Sequence, residues 1–464
     1  MIARKRMAGA AAPGTTTGKS GMATFTAVAV GQVVSFLGSG MVGFALVIWA
    51  YLETGQVTTL ALASLFRFAP TVLFSPTAGA LVDRWNRKLT MMLSDLASGS
   101  ATIALLLLYT FSDLQVWQWF VAGAFAGFFE AFQFPAFSAA ISTMIPKAQY
   151  GRASGMLSLA QSASGVFSPV VAAAILGTLG LMLALPVIML IDIATFTVAT
   201  GILLAIRIPE PPRTEEGMRA RGSLMKESAF GFRYIAERPS LLGLQLVFFS
   251  MNFLFTLGFI VLPAMILSRT NNDAFALGSV QSVGAIGAVI GSVVMSAWGG
   301  PKRRVHGVLG GMAIAGLGSV LMGVGQVFYV WAAASFFDFF LVPIINGSNQ
   351  AIWQSKVSPD IQGRVFAVRR LIAQITAPLA MAIAGPLADF VFEPAMQPGA
   401  ALASVFGWLV GVGPGAGIGL MLVVFGITGT AVGLAFYGVR VVRDAETILP
   451  DFDAKAVAAS DPGR

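Results

Sequence analysis

Long runs of hydrophobic residues, separated by short polar segments, dominate this sequence from residue 24 onwards. A helix needs about 20 apolar residues to cross the hydrocarbon core of a bilayer. A strand of a membrane barrel needs about ten in strict alternation, whereas the runs here are longer and do not alternate. Breaks at charges, proline and glycine give twelve predicted spans, at residues 24–52, 57–82, 89–111, 116–145, 152–178, 182–207, 240–267, 275–298, 304–326, 328–356, 363–391 and 406–439.

The distribution of Lys and Arg predicts how these spans are oriented. If the N-terminus is cytoplasmic, 27 of the 29 basic residues fall in cytoplasmic segments, while Arg269 lies outside and Arg67 lies within span two. Cytoplasmic loops of membrane proteins carry an excess of Lys and Arg. We therefore expect both termini to be cytoplasmic and the protein to lie in the plasma (inner) membrane. The net charge of +8 then reflects topology, and no nucleic-acid surface is predicted.

The amino-acid composition agrees with a chain that is embedded in a lipid bilayer. Hydrophobic residues make up 56% of the chain and charged residues 11%, against about 25% charged residues in soluble domains. The chain has no cysteine and one histidine, His306, so disulfides and thiolate metal sites are excluded and no metal site is predicted. No HExxH motif, phosphate-binding loop or paired cysteine is present, so we expect neither an enzyme nor a cofactor.

The chain divides into two similar halves. The longest polar interruption, from Ile208 to Pro239, leaves six spans on each side. The loops after spans four and ten both end in Gly-Arg and lead into helices that carry Pro169 and Pro378. Two repeats joined by a cytoplasmic linker are typical of transporters whose halves rock about a central site. The predicted units are an N-terminal tail (1–22), a six-helix bundle (23–207), a linker (208–239), a second six-helix bundle (240–440) and a C-terminal tail (441–464).

The stretch from Gly79 to Lys88, GALVDRWNRK, resembles the loop signature G-x-x-x-D-R-x-x-R-[RK] between spans two and three of the major facilitator superfamily. The second-half stretch from Gln362 to Asp389 is similar to a branch that contains macrolide exporters and enterobactin-type siderophore exporters. The resemblance covers nearly the whole chain. It implies an all-α membrane protein of twelve transmembrane helices in two pseudo-symmetric six-helix bundles.

The resemblance also implies a conformational latch at the cytoplasmic side. A carboxylate at Asp83 can face the positive N-terminus of span eleven, and the basic residues of the loop anchor it to the inner membrane face. The equivalent second-half loop lacks the Asp-Arg pair, and span five lacks a clear proline-glycine signature of drug-proton antiporters. The expected latch residues are Gly79, Asp83, Arg84, Arg87, Lys88, Gly363 and Arg364.

The candidate ionisable residues within the membrane are Arg67, Asp95, Glu130, Asp192 and Asp338. Such residues are costly in lipid and usually face the interior or a partner. Glu130 and Asp338 hold corresponding places in spans four and ten, so we expect them, with Arg67, to couple proton movement to transport. The alternative is that Arg67 pairs with Glu130 in a purely structural role. For Asp95 and Asp192 we favour hydrogen bonds between helices.

Phenylalanines crowd spans four, seven and ten, with polar residues between them. An apolar cavity with few polar groups suits a bulky amphipathic solute. The leading hypothesis is a monomeric, proton-coupled exporter of such a molecule, macrolide-like or a peptide-derived siderophore. The alternatives are uptake of a small solute or lysolipid and, less favoured, a non-transporting receptor or enzyme. The candidate cavity residues are Phe132, Gln133, Asn252, Phe253, Asn346 and Gln350. Asp389, near the outer end of span eleven, is expected at the membrane interface.

Overall fold

The computed structural model of the protein describes residues 18–82, 86–144, 150–206, 224–358 and 361–451, and within these ranges it contains helices and no strand. The first half holds five long helices. Gly180, with φ of 69°, is non-helical and divides the last of them into two crossings. The helices are α1 (Gly18–Thr54), α2 (Val57–Val82), α3 (Arg87–Phe111), α4 (Val116–Met144) and α5 (Tyr150–Ala205).

In the described residues, the second half holds six further long helices and several short ones. A π-helical turn at Ala388–Phe392 extends the eleventh helix. The helices are α6 (Leu224–Ala236), α7 (Pro239–Arg269), α8 (Ala274–Trp298), α9 (Arg304–Val324), α10 (Phe328–Lys356), α11 (Gln362–Leu387), α12 (Glu393–Ala395), α13 (Ala401–Val410), α14 (Ala416–Gly438), α15 (Arg440–Arg443) and α16 (Ala445–Ile448).

The number of membrane crossings agrees with the twelve predicted spans. Ten helices in the described part of the chain are long and apolar enough to cross a membrane. One of them, Ala163–Ala205, contains two crossings because the chain turns at Gly180. Helix α4 has 29 residues, and at about 1.5 Å per residue it also exceeds the thickness of the hydrocarbon core.

One predicted span boundary was wrong. Span twelve was expected from residue 406, but α13 ends at Val410 and α14 begins only at Ala416. Gly411, Gly413 and Gly415 between them all have positive φ, which residues with a side chain rarely adopt. This turn interrupts a run that is continuous in hydropathy.

The predicted linker, residues 208–239, contains the 13-residue helix α6. The apolar face of α6 packs through Ile235, 2% exposed, into a small core with Trp353 and Val365 of the second bundle. The other face of α6 is polar, so the hydropathy of this segment is too low for a membrane span, and the sequence predicts a polar break between spans six and seven. The helix belongs to the second bundle by packing.

The last described segment docks onto the same bundle. The side chain of Lys356 is 3% exposed, and its Nζ donates to the carbonyl oxygens of Glu446 and Leu449, each at 2.5 Å. The same Nζ lies 2.8 Å from a carboxylate oxygen of Asp451. Glu446 in turn accepts a hydrogen bond of 2.9 Å from the backbone N–H of Val305, at the start of α9.

Within the described ranges, the core that the two bundles share lies at one end. We call the end with the α1–α2 and α7–α8 turns the outer end, because it is predicted to be extracellular, and the opposite end the inner end. At the outer end a single hydrophobic cluster includes Trp49 and Leu185 of the first bundle with Met265 and Ala384 of the second.

At the inner end the described residues form separate cores. One contains Phe25 and Leu203 of the first bundle, and another contains Leu244 and Val308 of the second. Contacts of α5 with α8 follow the same pattern, since Ser282 Oγ donates to the carbonyl oxygen of Val166 at 2.6 Å in the outer half. Among the described residues, the two bundles are therefore joined at the outer end and have separate cores at the inner end.

Candidate functional site

An ion pair lies inside the first bundle, between α2 and α4. Arg67 Nη2 is 3.1 Å from Glu130 Oε2, and the two side chains are 55% and 46% exposed. Charges within spans face the protein interior or a water-filled cavity because lipid cannot solvate them. The exposed pair therefore marks a wall of the space between the bundles.

Close packing of the two helices positions this pair. A Cβ at Gly127 of α4 would collide with the carbonyl oxygen of Arg67, so the glycine lets α4 approach α2 closely. Thr71 Oγ1 donates to the carbonyl oxygen of Gly127 at 2.8 Å. Aromatic pairs extend the contact on both sides, with Phe66 stacked on Phe120 at 5.3 Å between ring centroids.

Phe132, a candidate for the cavity wall, lies in the packed interior. It is 6% exposed and belongs to the inner core of the first bundle. Its ring centroid is 5.4 Å from that of Phe128, which meets Phe74 of α2 edge-on at 4.7 Å. The side chain therefore fills space between helices and presents little open surface.

Gln133, the next candidate, holds a buried carboxylate. Its Nε2 donates to Asp95 Oδ1 at 2.5 Å, and Gln32 Nε2 donates to Asp95 Oδ2 at 3.2 Å. Asp95 is 4% exposed. The expected hydrogen bonds between helices at Asp95 are thus confirmed, since Gln32 lies on α1 and Gln133 on α4.

Asp192 is engaged in the same way nearer the outer end. Its Oδ1 accepts from Ser39 Oγ at 2.9 Å and its Oδ2 from Thr102 Oγ1 at 2.8 Å. The residue is 3% exposed. Three helices of the first bundle meet at this carboxylate, so the prediction of an inter-helix hydrogen bond is confirmed here as well.

Asp338 occupies an environment unlike that of Glu130, although the two hold corresponding places. It is 8% exposed, and its Oδ1 lies against Gly318 of α9, where a Cβ would collide with it. Within the described residues this oxygen has no hydrogen-bond partner. The carboxyl group therefore lies between α9 and α10, enclosed by the second bundle, whereas Glu130 is paired and open.

The remaining cavity candidates lie on the second bundle. Asn252 and Phe253 of α7 are half-buried, and Asn346 of α10 is exposed. Gln350 Oε1 accepts a hydrogen bond of 2.7 Å from Arg369 Nη1. Arg369 lies two turns inside α11, which begins at Gln362.

The latch residues are only partly within the described ranges. Lys88 Nζ donates to the carbonyl oxygens of Leu204 and Ile206 at 2.9 and 2.7 Å. It therefore ties the start of α3 to the end of α5 inside the first bundle. Asp83 and Arg84 lie outside the described residues, and only the helical backbone is described for Gly79, Arg87, Gly363 and Arg364.

Sequence reasoning missed a set of carboxylates that cap helix N-termini at the outer end. Asp389 accepts from the backbone N–H groups of Val57 and Thr58, the first residues of α2, at 3.0 and 2.7 Å. Its position near the end of span eleven suggested only the interface. Glu393 and Asp273 cap the N-termini of α14 and α8. The described residues hold no group of three or more His, Cys, Asp or Glu that could bind a metal ion.

Several known proteins are similar to this chain. Macrolide efflux protein A of Streptococcus pyogenes is 24% identical over 367 residues, which are 79% of this chain and 89% of that protein. The enterobactin exporter EntS of Shigella flexneri is 23% identical over 269 residues, 58% of this chain and 62% of that protein. These relatives agree with the branch that the sequence resembles.

The fold also matches solved structures. A bacterial homologue of the human lysosomal transporter Spinster, inward-facing and unoccupied, superposes with a TM-score of 0.66 at 16% identity, covering 92% of this chain and 98% of that one. The family model of the Major Facilitator Superfamily matches residues 28–381. Since this match takes in well over half of the sequence and agrees with the two helical bundles, the chain belongs to the Major Facilitator Superfamily.

Proposed function

We propose that this protein is a proton-coupled exporter of hydrophobic or amphipathic small molecules, which works by alternating access in the plasma membrane with both termini in the cytoplasm. The observation that carries the proposal is the exposed Arg67–Glu130 ion pair within α2 and α4, which we take as a wall of the space between the bundles. Similarity to macrolide efflux protein A over most of both chains supports export as the direction.

Glu130 is the coupling residue in this proposal. Its carboxylate is exposed to the space between the bundles and is paired with Arg67. A proton that binds Glu130 removes the attraction to Arg67, so the pair can open when a proton arrives and close when it leaves. Asp338 is enclosed within the second bundle and is a second protonation site only if that bundle loosens.

The residues proposed to line the cavity support a hydrophobic or amphipathic cargo. Phe253 and Asn252 are half-buried on α7, and Asn346 is exposed on α10. Aromatic surface with isolated amide groups suits a large apolar molecule that carries a few hydrogen-bonding groups. A macrolide or a peptide-derived siderophore has this character.

In this proposal the transporter acts as a monomer. Asp83, Arg84 and their neighbours form the latch at the inner end.

A cell assay tests the direction and the coupling. A labelled macrolide is added to cells with and without the protein, and its accumulation is measured before and after a proton uncoupler. We expect lower accumulation with the protein and loss of the difference on uncoupling. Equal accumulation with several macrolides and with a peptide siderophore would remove the export proposal, while higher accumulation in the expressing cells would support the uptake alternative.

A further inference from the structure

We propose that Asp389 is an outer latch, which holds the two bundles together at the outer end by capping α2 from the opposite bundle. Asp389 lies in the π-helical turn after α11, in the second bundle, whereas α2 is in the first. Both of its carboxylate oxygens accept backbone hydrogen bonds, from Val57 at 3.0 Å and from Thr58 at 2.7 Å. The inference rests on the alternating access of the proposed function.

The first turn of α2 gives this contact its strength. The first N–H groups of a helix have no partner within the helix, and the helix dipole makes that end positive. A carboxylate that accepts two such N–H groups gains charge-assisted hydrogen bonds. Val57 is 2% exposed and Asp389 is half-buried, so the contact is partly shielded from water while the outer end is closed.

Backbone packing one turn earlier holds the carboxylate in place. A Cβ at Gly385 of α11 would lie 2.9 Å from the backbone nitrogen of Thr58 and would collide with its Cα. Glycine at this position lets α11 approach the start of α2 to backbone contact. This short separation accompanies the hydrogen bonds of Asp389 to Val57 and Thr58.

Two other carboxylates at the outer end make the same kind of contact without crossing between bundles. Asp273 accepts from Phe275 and Ala276 within α8. Glu393 accepts from Gly415 and Ile418 at the start of α14, in its own bundle. Rocking of two rigid bundles leaves both contacts intact, but it must break those of Asp389 when the outer end opens.

The outer latch mirrors the one expected at the inner end. There Asp83, at the end of span two, is expected to face the N-terminus of span eleven; here Asp389, at the end of span eleven, faces the N-terminus of span two. When the outer end opens, Asp389 loses its contacts and Asp83 can form its own at the inner end. When the inner end opens, the reverse happens. The two states thus exchange equivalent contacts, which keeps them close in free energy.

Spin labels can measure the opening of the outer end, because the chain has no native cysteine that would also be labelled. Cysteines introduced at the exposed positions Asp113 and Gln326, in outer loops of the two bundles, report the width of the outer end in nanodiscs. We expect Asp389→Asn, which removes the charge and one acceptor oxygen, to raise the ratio of open to closed outer ends about tenfold, or ~1.4 kcal/mol. The matched control Asp273→Asn leaves the ratio unchanged.

Two further variants keep the proposal falsifiable if Asp389→Asn folds poorly. Gly385→Ala, which separates the helices without removing the charge, should also widen the outer end, and Asp389→Glu should restore part of the closed population. Unchanged distances in well-folded Asp389→Asn and Gly385→Ala would overturn the latch. The distance measurement needs no substrate, so a failed export assay does not contradict the outer latch. Likewise, unchanged distances would contradict the outer latch but not the export proposal.

Discussion

Replacing Glu130 by Gln should abolish proton coupling while leaving the fold nearly intact. Glutamine keeps the shape and one acceptor oxygen for Arg67 but cannot exchange a proton at neutral pH. We expect pH-driven transport to fall at least tenfold, because no group at this site then carries protons through the cycle. Exchange of substrate across the membrane at equal pH, which needs no net proton movement, should continue.

The structure bounds the effect on stability. Two unit charges 3.1 Å apart attract each other by about 1.3 kcal/mol in water. With side chains 55% and 46% exposed, solvent screens the pair, and exposed pairs of this kind contribute about 0.2–1 kcal/mol. The free energy of unfolding should therefore change by less than about 1 kcal/mol, which separates a coupling defect from a folding defect.

Proteoliposomes provide the assay. Uptake of labelled substrate into inside-acidic vesicles is compared with exchange at equal pH for the wild type, Glu130→Gln and a control, Glu53→Gln. Glu53 lies exposed at the outer end of α1, so its variant should behave as the wild type. Normal pH-driven accumulation by Glu130→Gln would refute the reasoning and move the coupling to another carboxyl group.

Three further substitutions test the packing around the site. Lys356→Gln should release the last described segment and speed its hydrogen exchange by tenfold or more, since bonds to a charged group contribute about 1.5–3 kcal/mol; Lys302→Gln, at an exposed position, should not. Asp192→Ala should lower the melting temperature in detergent, because the buried hydroxyl of Thr102 and the hydroxyl of Ser39 lose their acceptor. An equal melting temperature for Asp192→Ala and the exposed Asp113→Ala would contradict this. Gly127→Val should part α2 from α4 and reduce transport, whereas unaltered transport in that variant would show that the close approach is not needed.

Much of the architecture follows from the sequence because it depends on local hydropathy and on charge. The length of each apolar run indicates a span, and the break at residues 208–239 separates two sets of six. Even Gly180, where α5 turns, lies at the boundary predicted between spans five and six. The pairing of Arg67 with Glu130 was open as one of two alternatives, because both residues are charges inside spans of the same half.

Tertiary structure alone decided which surfaces meet. Asp389 is more than 300 residues from the N–H groups that it accepts, and no local pattern specifies a partner at that separation. The same holds for the interior position of Phe132, the enclosure of Asp338 beside Gly318, and the use of Lys88 to cap α5. Hydropathy determines that a helix lies in the membrane, but the face that it turns to a neighbour, to lipid or to water is set by the packing of all the helices together.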